Sequence, residues 1–270
     1  MAEKEECWDL PNDFDLFAQH EVGEVFYPAI DGTSKSTHSF RIECIEPDSP
    51  LDIVNFTESS KQYDATGHCV WAGAFLLIQC IHELEKYLIA EKRIIEFGCG
   101  TGIGGLAMML ANDEATPSMM CFTDNDPDAL KVCKRNCKLN NLSEELYTIE
   151  ELTWGQDTVV DDRLFDIALA TDVLYDVDMI EPLFTSVANY VPVNAKFILS
   201  HIPRACYNDN NPPEAVDDLE KYIIDKAEEF KLRLDSIIRP PEEDNIHDEL
   251  LQWCPKTAFS GGAILVFCRT

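Results

Sequence analysis

The stretch Arg93-Ile-Ile-Glu96-Phe-Gly98-Cys99-Gly100-Thr101-Gly102-Ile103-Gly104-Gly105 decides how the rest of the chain is read. Its first five residues form a short apolar run that reads as a buried strand. The run stops at glycines, and an apolar segment of helical spacing, Ile103 to Ala111, follows them. Glycine permits a sharp turn and a close approach of backbone to a ligand. The helix behind it presents unpaired N–H groups at its start. No Gly-Lys-Ser/Thr follows, which excludes a P-loop. Gly100, Gly102 and Gly105 also satisfy G-x-G-x-x-G, so a dinucleotide site stays open at this level.

Downstream, strand and helix patterns alternate. Met119–Thr123 is a strand ending at Asp124, and 126–141 is a helix with Asp126 as N-cap and Pro127 at its first position. Leu146–Thr153 and Phe165–Thr171 are strands, Asp176–Val191 a helix, Ala195–His201 a strand and Pro213–Phe230 a helix. Leu232–Ile238 and Ala263–Cys268 close the chain as an antiparallel edge pair. Upstream, Phe75, Leu76, Ile78, Ile81, Leu84 and Leu88 recur at helical spacing between Ala72 and Ile89. Repeated β-α-β units with near-continuous apolar strands predict a mostly parallel sheet with helices on both faces. Residues 1–60 read as an acidic N-terminal arm with a small hairpin, in which Ser39–Glu46 pairs with Leu51–Phe56. Residues 61–270 form the α/β domain.

Composition bounds the partners. Of 270 residues, 21 are basic and 50 acidic, a formal charge of −29. Residues 1–60 alone hold 14 acidic and 3 basic side chains. Such a body repels nucleic-acid phosphate and anionic lipid and attracts Lys/Arg-rich segments, although bulk acidity also simply maintains solubility. No run is apolar enough to span a membrane and no secretory leader is visible. The 11 cysteines lack C-x-x-C spacing and sit among apolar neighbours, so buried reduced thiols in a cytoplasmic, or also nuclear, protein are expected. Cys133 and Cys137 lie one helical turn apart without a third ligand nearby, and no metal is expected. The stripe Lys131, Lys134, Arg135, Lys138 reads as a solvated helix face rather than a nucleic-acid patch.

Asp124 ends its strand 22 positions after Gly102, where a carboxylate accepts hydrogen bonds from ribose hydroxyls. Glycine loop and acid together indicate an adenosine-bearing cofactor. Glu96, two residues before the first glycine, suits the cationic amino-acid end of S-adenosylmethionine and would repel a pyrophosphate. Trp154, after the third core strand, is placed to flank an adenine ring; an aromatic on the rim is the plainer reading. Trp71, in Gly67-His-Cys-Val-Trp71-Ala-Gly-Ala, is placed to close the pocket. His201 is a weaker candidate for proton handling, and 204–214 is a candidate substrate loop.

Taken in order, Gly67…Trp71, Glu96-Phe-Gly-Cys-Gly-Thr-Gly102, Asp124, Asn136…Asn140-Asn141, Leu152-Thr-Trp154-Gly and Ala170-Thr171-Asp172-Val-Leu-Tyr175 resemble the family-16 seven-β-strand methyltransferases, mostly protein-lysine methyltransferases. The resemblance covers about residues 60–270. It implies a Rossmann-like class I sheet in the order 3-2-1-4-5-7-6 with the last strand antiparallel. It also implies S-adenosyl-L-methionine held by Trp71, Glu96, Gly98, Cys99, Gly100, Gly102, Asp124, Asn125, Trp154 and Thr171. Asp172 and Tyr175 occupy the family's D-x-x-Y and become the catalytic candidates. Two residues depart from the pattern: Thr153 stands where an acid often precedes the tryptophan, and Thr171 where a small apolar residue is common.

The expected function is therefore methyl transfer from S-adenosylmethionine to a lysine of a protein substrate, its target in a basic segment. No nucleic acid or membrane is expected as a partner, and the chain is expected to act as a monomer. The alternatives are a small-molecule N-methyltransferase, a cofactor-binding interaction module without catalysis, and a nicotinamide-dependent dehydrogenase.

Overall fold

The computed structural model describes residues 20–28, 37–45, 66–84, 89–110, 116–156, 164–203, 212–242 and 255–270. Seven strands form one sheet: β3 (Arg93–Phe97), β4 (Met119–Asp124), β5 (Tyr147–Glu151), β6 (Ile167–Thr171), β7 (Lys196–His201), β8 (Leu232–Ile238) and β9 (Ala263–Arg269). Their order is β5-β4-β3-β6-β7-β9-β8. Counted along the sheet-forming chain this is 3-2-1-4-5-7-6, with β9 antiparallel to both β7 and β8. The order reverses beside β3, so the loops after β3 and β6 part to opposite sides and leave a crevice at the strands' C-terminal ends.

Helices cover both faces. α1 (Ala72–Gln79), the short α2 (Ile81–Leu84), α3 (Ile103–Leu110) and α4 (Pro127–Leu139) come first. α5 (Ile180–Tyr190), α6 (Pro213–Asp217) and α7 (Leu219–Glu229) follow. One apolar cluster includes Leu76, Ile94, Leu106 and Phe122, and a second includes Ile95, Phe97, Phe184 and Phe197. Ile94 and Ile95 are neighbours on β3 and fall into different clusters, because strand side chains alternate between faces.

Several expected helices divide. The segment begun at Ala72 breaks after Gln79 and resumes at Ile81, and 85–88 lie outside the described residues. The helix expected from Asp176 opens with a 3₁₀ turn, Val177–Met179. The helix expected over Pro213–Phe230 is two, because Asp218 leaves helical geometry and caps α7 by accepting from Lys221 N.

The N-terminal hairpin is paired differently from the expectation. β2 (Thr37–Ile45) pairs antiparallel with β1 (His20–Pro28). The expected partner 51–56 lies outside the described residues. Val25, Phe40, Ile42 and Cys44 of the hairpin are buried in the same cluster as α1 and α3.

Candidate active site

The crevice is a cleft of about 230 Å³ above the C-terminal ends of β3, β4 and β6. Its walls begin with the glycine loop. Gly98, Gly100 and Gly102 have φ of 67°, 50° and 81°, the left-handed region that glycine adopts freely. A Cβ on Gly98 would lie 2.9 Å from Val173 Cγ1 and 3.0 Å from Trp154 Cζ2. On Gly100 it would lie 2.9 Å from Gly67 O, so two chain segments meet there backbone to backbone. The loop is tied down at Asp124, whose Oδ2 accepts from Gly100 N at 2.9 Å and Oδ1 from Asp126 N at 3.0 Å. Burial pushes the Asp124 carboxyl above its ordinary range, and these amide donors oppose that rise.

Asp126 caps α4 by accepting from Asp128 N at 2.8 Å, as expected, and its Oδ2 sits 3.5 Å from His68 Nε2. Burial disfavours its charge, but the hydrogen bonds from His68 and the helix N-terminus outweigh this and hold it below the ordinary carboxylate range. Trp71 donates from Nε1 to Thr66 O at 2.9 Å, which fixes the indole at the start of α1.

Asp172 has φ 58° and only 4% exposure. Its Oδ2 accepts from Gly73 N at 2.9 Å, and its Oδ1 from Ile202 N at 3.4 Å. Ser200 Oγ donates to Gly73 O at 2.6 Å. Asp172 therefore ties the start of α1, and Trp71 with it, to the ends of β6 and β7. The helix that follows β6 is capped instead by Asp176, which accepts from Asp178 N.

The cleft brings together Trp71, Gly98, Cys99, Gly100, Asp124, Asn125, Trp154, Thr171, Asp172 and Tyr175. Two expected residues do not line it. Glu96 is fully buried behind the loop, where Oε2 accepts from Gly105 N at 3.0 Å at the start of α3. That corrects its expected role as a direct partner of the cofactor's amino group. Burial, with Asp124 nearby, pushes its carboxyl up to about 8, and among the described residues Oε1 has no hydrogen-bond partner. Gly102 faces Cys133, whose Sγ would stand 2.6 Å from a Cβ there. It shapes the turn from behind.

Asp126, Thr101 and Gly67 also line the cleft and escaped the sequence reading as wall residues. Gly67 carried a signal in the motif that precedes Trp71. Asp126 was hidden by its capping role, although it sits only two residues after Asp124. His201 is buried and does not line the cleft. Most of the loop 204–214 lies outside the described residues.

Cys99, Cys133 and Cys137 are buried and form a hydrogen-bonded set, with burial pushing Cys99 up to about 12. The raised Cys99 and Cys133 thiols stay protonated and are poor nucleophiles. Among the described residues no group of three His, Cys, Asp or Glu side chains is arranged to hold a metal. Lys131 pairs with Asp128, Arg135 with Glu43 and Lys138 with Glu144, so these members of the basic stripe serve local contacts.

The donor set matches one cofactor chemistry. Asp124, Asp126 and Asp172 put carboxylates around the cleft, which suits ribose hydroxyls, an ammonium and a sulfonium. A dinucleotide's pyrophosphate would face three acidic side chains. Thr101 Oγ1, 1% exposed on the glycine loop, has no hydrogen-bond partner among the described residues and is a polar atom left over at the cleft. The fold and this cleft define a class I methyltransferase whose cofactor is S-adenosylmethionine.

The chain belongs to methyltransferase family 16, whose family model, described as lysine methyltransferase, matches residues 49–211. It is 29% identical over 141 residues to the histone-arginine methyltransferase METTL23 of Xenopus laevis, covering 52% of this chain and 54% of that one. It is 26% identical over 140 residues to the histidine protein methyltransferase 1 homolog of Dictyostelium discoideum, covering 48% and 43%. The chain thus spans about half the length of these curated relatives. Among solved structures it resembles a methyltransferase from Pyrococcus furiosus with TM-score 0.47 and 14% identity, covering 81% and 95% of the two chains.

Proposed function

We propose that the chain methylates the side-chain amine of a lysine in a protein substrate. The observation that carries this is Tyr175, an aromatic ring 45% exposed at a cleft that Asp172 also lines. An aromatic face and a carboxylate together suit a cation arriving from solvent on a flexible stem. Further support comes from the family description and from relatives named as protein methyltransferases. The charge of −29 favours a target in a basic segment.

In this reading Asp124, with Asn125, accepts from the ribose hydroxyls, and Trp154 flanks the adenine. Gly98 to Gly100 bring backbone against the amino-acid end, while Trp71 and Thr171 close the remaining walls. S-adenosylmethionine supplies a methyl group activated on a sulfonium for in-line displacement, a step in which positioning dominates. Only about 0.04% of an ordinary lysine is neutral at pH 7, so a proton must leave first. Asp172 captures and orients the ammonium, and the Tyr175 ring stabilises its charge as water is stripped. The cleft's apolar walls then favour the neutral amine, and the proton passes to water at the mouth. The buried cysteines of the described residues favour a reducing compartment, the cytoplasm or nucleus.

The test is transfer of labelled methyl into a cell lysate, followed by acid hydrolysis and separation of the methylated amino acids. Label in N-methyl-lysine, lost in Tyr175→Ala while cofactor affinity is kept, is the expected result. Label in methyl-arginine or methyl-histidine overturns the lysine assignment. Label confined to small molecules overturns the protein substrate.

A further inference from the structure

Asn136 of α4 and Asn140 at its C-cap have no place in the chemistry above, yet both bond the backbone of the N-terminal hairpin. Asn136 is fully buried. Its Oδ1 accepts from Glu43 N at 2.6 Å, and its Nδ2 donates to Glu43 O at 3.0 Å. One turn on, Asn140 repeats the pattern: Oδ1 accepts from Arg41 N at 2.7 Å and Nδ2 donates to Arg41 O at 2.6 Å. Each carboxamide therefore pairs like a strand with the edge of β2 that β1 does not use.

The spacing explains why this works. Four helical residues rise about 6.0 Å. Two strand residues rise about 6.6 Å. An i, i+4 pair on a helix thus matches an i, i+2 pair on a strand. Arg135 reinforces the contact through Glu43, with Nε at 3.0 Å and a terminal nitrogen at 2.8 Å, and Arg41 donates to Leu139 O at 2.8 Å.

Asn136 does one thing more. The same Nδ2 donates to Thr101 O at 2.9 Å. Thr101 lies between Gly100 and Gly102, both in the left-handed region, and lines the cleft. Its carbonyl direction is set by the turn, and a buried carbonyl requires a donor. One side chain therefore bonds the backbone of the N-terminal hairpin and the backbone of the glycine loop.

We propose that Asn136 is a positioning residue for S-adenosylmethionine, and that the docked N-terminal hairpin sets cofactor affinity through it. The link is a single shared carboxamide, not a relay through the core. With the hairpin docked, Glu43 holds the carboxamide in the rotation that serves Thr101. With the hairpin released, the carboxamide turns freely and the loop loses a fixed wall.

The test uses the full chain and needs no methyl acceptor, so it stands apart from the lysine assignment. Cofactor Kd is measured by calorimetry, and hydrogen exchange of the 99–105 amides is followed in the cofactor-free protein. Asn136→Ala is expected to weaken binding about five-fold or more and to speed exchange in the loop. Asn140→Ala removes both carboxamide bonds to Arg41 and the Nδ2 bond to Asn136 O, and leaves the Asn136 side chain with its bonds to Glu43 and Thr101 in place. It is expected to speed exchange at 37–45, and with it loop exchange and Kd, by about two- to three-fold. If Asn140→Ala loosens the hairpin while loop exchange and Kd stay at wild-type values, the hairpin is a passive cover and the proposal fails. If Asn136→Ala does not fold, the Asn140→Ala result decides alone.

Discussion

At the scale of single residues, the glycine loop shows how one short motif carries several physical duties. Gly98 and Gly100 let backbone meet Trp154 and Gly67, while Gly102 makes room for Cys133. The loop's position after β3 was readable because strand, glycines and helix follow one another in sequence. The duty of Glu96 was not, because sequence gives a side chain's position and not its direction. Glu96 is neutral in the fold up to about pH 8, whereas in the unfolded chain it ionises near 4.5. The folded state then binds the extra proton between these values, so this group's contribution is fully present below the lower value. It falls as pH rises and is lost through the upper one. Glu96→Gln keeps the bond from Gly105 N and removes the titration. Its melting temperature is therefore expected to gain on wild type between about pH 5 and pH 8. Equal shifts at both pH values would show that Glu96 is ionised in the fold.

At the scale of elements, caps and carboxamides decide where helices begin and what they hold. Asp126 and Pro127 marked the start of α4 in the sequence, and the structure begins it there. Asp126→Ala removes the cap and the contact with His68, and is expected to cost about 1 kcal/mol in a urea titration. Because folding lowers the Asp126 pKa, its contribution is fully present above the ordinary carboxylate range and is lost as pH falls through the lowered value beneath that range. An unchanged midpoint at neutral pH would remove Asp126 from the stability of α4. At the other end Asn141 takes φ 57°, the left-handed position that stops a helix. The break at Asp218 was missed because apolar spacing continues across it, while a side chain that caps its own backbone ended one helix and opened the next. The hairpin makes a related point: the expected partner 51–56 lies outside the described residues, and β2 pairs with β1. Alternation identified β2 as a strand, but which neighbouring segment pairs with it is set by docking, and β1 precedes it across residues 29–36.

At the scale of the whole molecule, the charge of −29 and the cleft's three carboxylates act in the same direction on a basic substrate. Long-range attraction is screened as ionic strength rises, with a Debye length of about 10 Å at 0.1 M. Methylation of a lysine-rich peptide is expected to show KM rising several-fold between about 0.05 and 0.3 M salt with kcat nearly unchanged. A flat KM would show that recognition is local to the cleft. The sequence by itself determined the α/β class, the sheet order through its family resemblance, the glycine loop and the acid that ends β4. These follow from periodicity and from neighbours in the chain, which local sterics and hydrogen bonding dictate. Only the tertiary structure decided that Glu96 lies behind the loop, that Asp172 ties the start of α1, and that Asn136 joins hairpin to glycine loop. Each of those depends on segments from about nine to 99 residues apart being packed together, where burial and the demand for hydrogen-bond partners choose the direction of a side chain.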